Sequence, residues 1–174
     1  MERIPLNAVW TRGNTCFGCG KDNPQGLQIS VFRDPQNPNG IVGEFQPQAY
    51  MTGFPSILHG GIIYSALDCM ASWCGMVLRP TRAIWVLRSS SMKYHRPAML
   101  RNKVSLAATL EVEKEGDDMS PITVQTAAYD PDGQLLVEGL FKPVPITLEK
   151  FTAITGITDR SSAWACWVEN GAPS

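Results

Sequence analysis

The chain has 174 residues, enough for one domain with a sizeable core and too few for two large ones. With 44% hydrophobic and 18% charged residues it is not a disordered or fibrous sequence, and a formal net charge of −1 gives no global attraction to nucleic acid or to an anionic membrane. Five cysteines, an odd number with two inside an apolar run, argue against a disulfide framework and for a reducing compartment. Met1-Glu2-Arg3-Ile4-Pro5 lacks the basic stretch and apolar run of a secretory signal, so the expected location is the cytoplasm.

Residues 1–25 read as an irregular segment rich in Gly, Asn and Pro, with the knot Cys16-Phe17-Gly18-Cys19-Gly20. Leu27, Ile29 and Val31 alternate with Gln28 and Ser30, the period of a half-buried strand. Asp34 to Gly40 is a turn by composition, and Ile41 to Gln46 returns as a second strand. After a loop from Pro47 to Ser56, the apolar residues from Ile57 to Leu78 are too many for a strand and predict a helix of about six turns. Apolar side chains surround that helix on most sides, so it should be buried, and Pro80 stops it.

Strands are expected at Ala83 to Tyr94, at Val104 to Val112 with clean alternation, at Ile122 to Tyr129 and at Leu135 to Lys142. Glu115-Gly116-Asp117-Asp118 and Asp130-Pro131-Asp132-Gly133 are the turns between them. Leu148 to Ile154 and Ser162 to Val168 read as short helical or irregular pieces. The whole, 1–174, is one domain with a core at 26–143 and a C-terminal extension at 144–174. A helix buried on most of its circumference needs a sheet that wraps it. The fold class is therefore α+β, a curled antiparallel sheet around one long central helix. Gly60 to Leu78 is also long enough to span a bilayer, but Asp68 at its middle costs about 2.5–3.5 kcal/mol there, and the core reading is preferred.

Asp68 is the only carboxylate between His59 and Arg79. It is either part of a buried polar network or a general base whose pKa desolvation has raised. His59-Gly60-Gly61 opens the helix, where the first N–H groups lack partners and the helix dipole is positive. Two glycines there either serve packing or let a substrate carbonyl reach the backbone as in an oxyanion hole. His59 and Asp68 are nine positions apart, about 13 Å along a helix and on roughly opposite faces. One site using both must draw on two chains.

Leu58-His59-Gly60-Gly61 with Asp68 resembles the PaaI-like branch of the hotdog-fold thioesterases. The opening Cys16-Phe17-Gly18-Cys19-Gly20-Lys21-Asp22-Asn23-Pro24-Gln25-Gly26-Leu27 is similar to the N-terminal signature of a subgroup of that branch. Phe54-Pro55-Ser56-Ile57-Leu58 and Tyr94-His95-Arg96-Pro97 match as well. The likeness runs from about Cys16 to Pro143. It implies a hotdog fold, a homodimer with a continuous sheet (alone or paired into a dimer of dimers), and acyl-CoA as substrate. It also implies that Asp68 activates water or attacks directly, that Gly60 N–H binds the thioester oxygen, and that His59 shapes the site. One departure stands out: where family members often carry Thr or Ser, seven positions before Tyr94, this chain has Leu87. Ser89, on the same face by period two, is the expected substitute.

From Cys69 to Leu110 there is no acidic residue but seven basic ones, among them Arg88, Arg96, Arg101 and Lys103. They are either solvated bases on strand edges or an anion site suited to the phosphates of coenzyme A. Cys16-x-x-Cys19 has half the ligands of a structural zinc site and no second pair follows. A hydrogen-bonded knuckle or surface turn is expected, with neither metal nor other cofactor. Trp73, Trp85, Trp164 and Trp167 serve core packing or wall an acyl pocket. Two rival readings remain. A hotdog hydratase would show Gly-Asp-x-Asn-Pro-x-His, and Asp22-Asn23-Pro24 is followed by no histidine. A non-catalytic acyl-CoA or hydrophobic-ligand binder is kept open by Leu87.

Overall fold

The computed structural model describes residues 3–111, 119–159 and 162–171. In chain order it has α1 (Leu6–Trp10), β1 (Ser30–Arg33), β2 (Gly40–Phe45), β3 (Thr52–Phe54), β4 (Ile57–Leu58) and α2 (Gly60–Leu78). Then follow β5 (Ile84–Tyr94), β6 (Val104–Leu110), β7 (Val124–Tyr129), β8 (Leu135–Ile146), α3 (Leu148–Thr155) and α4 (Ala163–Asn170). Six strands form one antiparallel sheet in the order β1-β2-β6-β7-β8-β5, and α2 packs against all six. Val104, Leu106 and Ala108 of β6 and Val124, Thr126 and Ala128 of β7 point inward by period two and are buried against the helix side. This is the expected α+β architecture.

Several boundaries differ from the sequence expectation, each for a local reason. Helix α2 starts at Gly60 and has 19 residues rather than beginning at Ile57. Ile57 and Leu58 pair with β3 instead, across a turn in which Ser56 takes φ 65°. Both are as apolar as the helix that follows, so hydrophobicity alone cannot separate them. The first strand begins at Ser30, because Gln28 at φ 50° breaks the extended backbone, although Leu27 and Ile29 are buried as expected. Strand β8 continues to Ile146 through Pro143 and Pro145. The Pro143 carbonyl accepts from Ile122 N–H at 3.1 Å, which puts its ring nitrogen on the side where β7 has not yet begun. No ladder bond is lost there. The expected end of β6 at Val112 and the turn at Glu115 to Asp118 lie outside the described residues.

Residues 1–25 are less irregular than expected. In α1, the buried Asn7 donates to the carbonyls of Cys19 (2.7 Å) and Ile29 (2.8 Å) and accepts from Val31 N–H (3.1 Å). One side chain thus ties the opening segment to the sheet edge, and Trp10 stacks on Trp167 of α4 with centroids 5.0 Å apart. Helix α2 is long and apolar enough to cross a bilayer. Ten of its residues, Trp73 and Cys74 among them, are instead buried in the wrapped sheet. None of the five cysteines is in a disulfide.

Candidate active site

Gly61, Tyr64, Asp68 and Ser72 follow one another at three- and four-residue steps and, with Ser65 beside Tyr64, form the open stripe of α2, each exposed or half-buried. Among the described residues, Asp68 is the only carboxylate lining a cavity of about 370 Å3, whose other walls include Ser72, Trp73, Trp85, Leu87, Phe151 and Trp164. Among the described residues it has no hydrogen-bond or ion-pair partner. Burial, and then the negative charge of Cys16, push its pKa up to about 6. Trp85 reaches the helix because Gly75 leaves room: a Cβ there would stand 2.4 Å from the indole Cδ2. The tryptophans divide by role. Trp167 stacks in the core, whereas Trp85 and Trp164 face the cavity and Trp73 does both.

At the other end of α2, His59 is the N-cap and its Nδ1 accepts from Gly61 N–H at 3.0 Å. That bond places the proton of neutral His59 on Nε2 and occupies Gly61 N–H. Gly60 N–H makes no hydrogen bond among the described residues, so it is the donor of this turn still available to a ligand. His59, Gly60, Ile63, Tyr94 and Arg96 line a second cavity of about 540 Å3. Tyr94 donates to Gly60 O at 3.1 Å and its ring would stand 3.1 Å from a Cβ at that position. Asp68 and the His59-Gly60 turn therefore open on different cavities of one chain. A further hollow, about 590 Å3 on the outer face of the sheet, holds none of the expected site residues.

The register corrects the expectation for Ser89. Leu87 pairs with Pro143 and Ser89 with Lys142, so a bulge at Arg88 breaks the period of two and turns Ser89 to the opposite face. Ser89 and Arg88 are exposed, Leu87 lines the cavity of Asp68, and Ser90 takes the helix side, 2.8 Å from the Tyr64 hydroxyl. The basic residues also separate. Lys103 is paired with Glu44 at 3.1 Å, an acid that β2 brings alongside a segment with none of its own. Arg96 donates to Leu135 O at 3.2 Å beside His59, and the exposed Arg101 lines a hollow of about 450 Å3. Sequence reasoning missed Ser72, Ser90 and Phe151. Ser72 was legible, being one turn beyond Asp68, whereas Phe151 reaches the cavity only through the path of the C-terminal extension.

One long helix enclosed by a wrapped antiparallel sheet, with a glycine turn at its start and a carboxylate two turns on, defines the hotdog class. Residues 56–125 match the family model described as Thioesterase superfamily, and the architecture of the chain is that of the hotdog fold. Solved structures agree in fold. The PaaI protein of Escherichia coli, from the phenylacetic acid degradation operon, is 13% identical with a TM-score of 0.58, over 69% of this chain and 80% of that one. A thioesterase of Haemophilus influenzae is 15% identical with a TM-score of 0.62, over 80% and 96%. A hypothetical thioesterase of Streptococcus pneumoniae, solved with coenzyme A, is 11% identical with a TM-score of 0.57, over 68% and 86%. No curated protein matches the chain.

Proposed function

We propose that the protein hydrolyses an acyl-CoA thioester to the free acid and coenzyme A, as a homodimer whose sites each combine Asp68 of one subunit with the His59-Gly60 turn of the other. The observation that carries this reading is the lone, unpartnered carboxylate of Asp68 in an otherwise largely apolar cavity walled by tryptophans. Such a group acts as general base on water or as nucleophile on the thioester carbon. Gly60 N–H, free and at the positive end of α2, receives the charge that develops on the thioester oxygen. His59, with its proton on Nε2, adds a second donor. The coenzyme A in the Streptococcus pneumoniae structure supports the substrate class, and Arg96 and Arg101 are the cations suited to its phosphates. A long unpaired edge at β5 and the open stripe of α2 are the surfaces for the second subunit.

Release of free thiol from a panel of acyl-CoAs tests the activity. Wild type should turn over at least one of them, and Asp68→Asn, isosteric but unable to take a proton or attack, should lose about 10²–10⁴-fold with its circular dichroism unchanged. Unchanged turnover in Asp68→Asn would remove Asp68 from the mechanism. A second reading, a non-catalytic acyl-CoA binder, is favoured by Leu87, which places an alkyl group in the cavity of Asp68. It requires saturable binding of acyl-CoA with no thiol release.

A further inference from the structure

Counting ligands along the sequence gave Cys16 and Cys19 no metal, because no second pair follows. The fold supplies a third sulfur from the central helix. The Sγ atoms of Cys16, Cys19 and Cys69 all lie within 4.8 Å of one another, with Cys16 and Cys69 3.9 Å apart. Sulfurs bound tetrahedrally to zinc at about 2.3 Å stand about 3.8 Å from each other. Asn14 Nδ2 points to Cys19 Sγ at 3.6 Å. Trp73, 1% exposed, lines the same cavity, and its indole N–H has no partner at hydrogen-bond distance.

The backbone is shaped to bring the sulfurs together. A Cβ on Gly18 would stand 2.3 Å from Cys69 Sγ, and one on Gly20 would stand 2.5 Å from Cys16 N, so neither position admits a side chain. All three cysteines line the cavity that holds Asp68.

We infer that Cys16, Cys19 and Cys69 form a thiolate site for one thiophilic d10 cation, zinc first among them, with its fourth position facing the cavity of Asp68. The displaced thiol protons pass to solvent, and no oxidant is required. A Cys16–Cys69 disulfide is the rival chemistry. It would leave Cys19, and the Asn14 amide that points to it, out of the chemistry. The inference is independent of hydrolysis, because its readouts are spectroscopic and chemical.

The test uses the full chain, reduced and stripped of metal. Cobalt(II) should bind at one equivalent with thiolate-to-metal charge-transfer absorption in the near ultraviolet, and zinc should displace it. Cys16→Ser, Cys19→Ser and Cys69→Ser should each weaken binding at least about tenfold, the smallest loss expected even for a supporting residue. Cys166→Ser should bind as wild type does. Without any variant, zinc should shield Cys16, Cys19 and Cys69 from alkylation, as mapped by mass spectrometry. No charge-transfer band at one equivalent, no shielding by zinc, or a band that survives all three serine variants would overturn the site. So would reduced protein that ignores both metals and yields a Cys16–Cys69 disulfide on mild oxidation.

Discussion

Asp68, Gly60 and Arg96 are each set by a neighbour rather than by their own chemistry. Asp68 is pushed up to about 6 because the aromatic walls exclude water from it, not because a second carboxylate repels it. Gly60 keeps its N–H free because His59 Nδ1 caps Gly61 instead. Arg96 spends one N–H on Leu135 O and keeps the rest of its fork exposed. Charges that hold a nucleotide act equally on ground and transition states. Arg96→Gln and Arg101→Gln are therefore expected to raise KM for acyl-CoA while leaving kcat nearly unchanged. A short thioester without the nucleotide should not register either substitution. Equal losses on both substrates would assign these arginines to the fold.

Helix α2 and the C-terminal extension cooperate to make the cavity. The face of α2 that meets β5 is flattened at Gly75 so that the Trp85 ring can lie against it. Gly75→Ala gains roughly 0.5–1 kcal/mol of helix propensity, but its methyl group meets an indole ring that has no flexible end to yield. Overpacking of that kind costs about 1–3 kcal/mol. The net expectation is a Tm lowered by a few degrees, read by thermal denaturation. Helices α3 and α4 contribute Phe151 and Trp164 to the cavity walls, a role that their place after the last strand does not announce. Trp164→Ala should enlarge the cavity and shift preference toward longer or bulkier acyl groups. The comparison is kcat/KM across a chain-length series, with the dependence on Arg96 unchanged. A uniform loss over the series would mean that Trp164 only holds α4 in place.

At the scale of the whole molecule, the two halves of the proposed site do not meet within one chain. His59-Gly60 and Asp68 line separate cavities, and nine residues of helix put about 13 Å and half a rotation between them. The proposed homodimer would resolve this, because an isologous contact creates the same composite site twice. Light scattering should give twice the 19.1 kDa chain mass. Asp68→Asn chains mixed with Gly60→Val chains, each inactive alone, should recover about a quarter of wild-type activity per chain. Half of a statistical mixture is heterodimer, and each heterodimer holds one intact site. Heterodimers that form and stay inactive would refute the shared site.

The amino-acid sequence alone determined the long buried helix, the wrapped sheet and the separation of His59 from Asp68. These follow from hydrophobic period and helical rise, which are local and repeat over many residues. It did not determine where the apolar run at Ile57 stops being strand and becomes helix. Nor did it show that Ser89 turns away from Leu87, since one bulged residue at Arg88 reverses a face without changing composition. Only the tertiary structure decided which cations stay free, because Glu44 reaches Lys103 from a strand about 60 residues earlier in the chain. Cys69 joined Cys16 and Cys19 in the same way, across 50 residues and more. Contacts between distant segments depend on how strands stack around the helix, and no spacing along the chain records that.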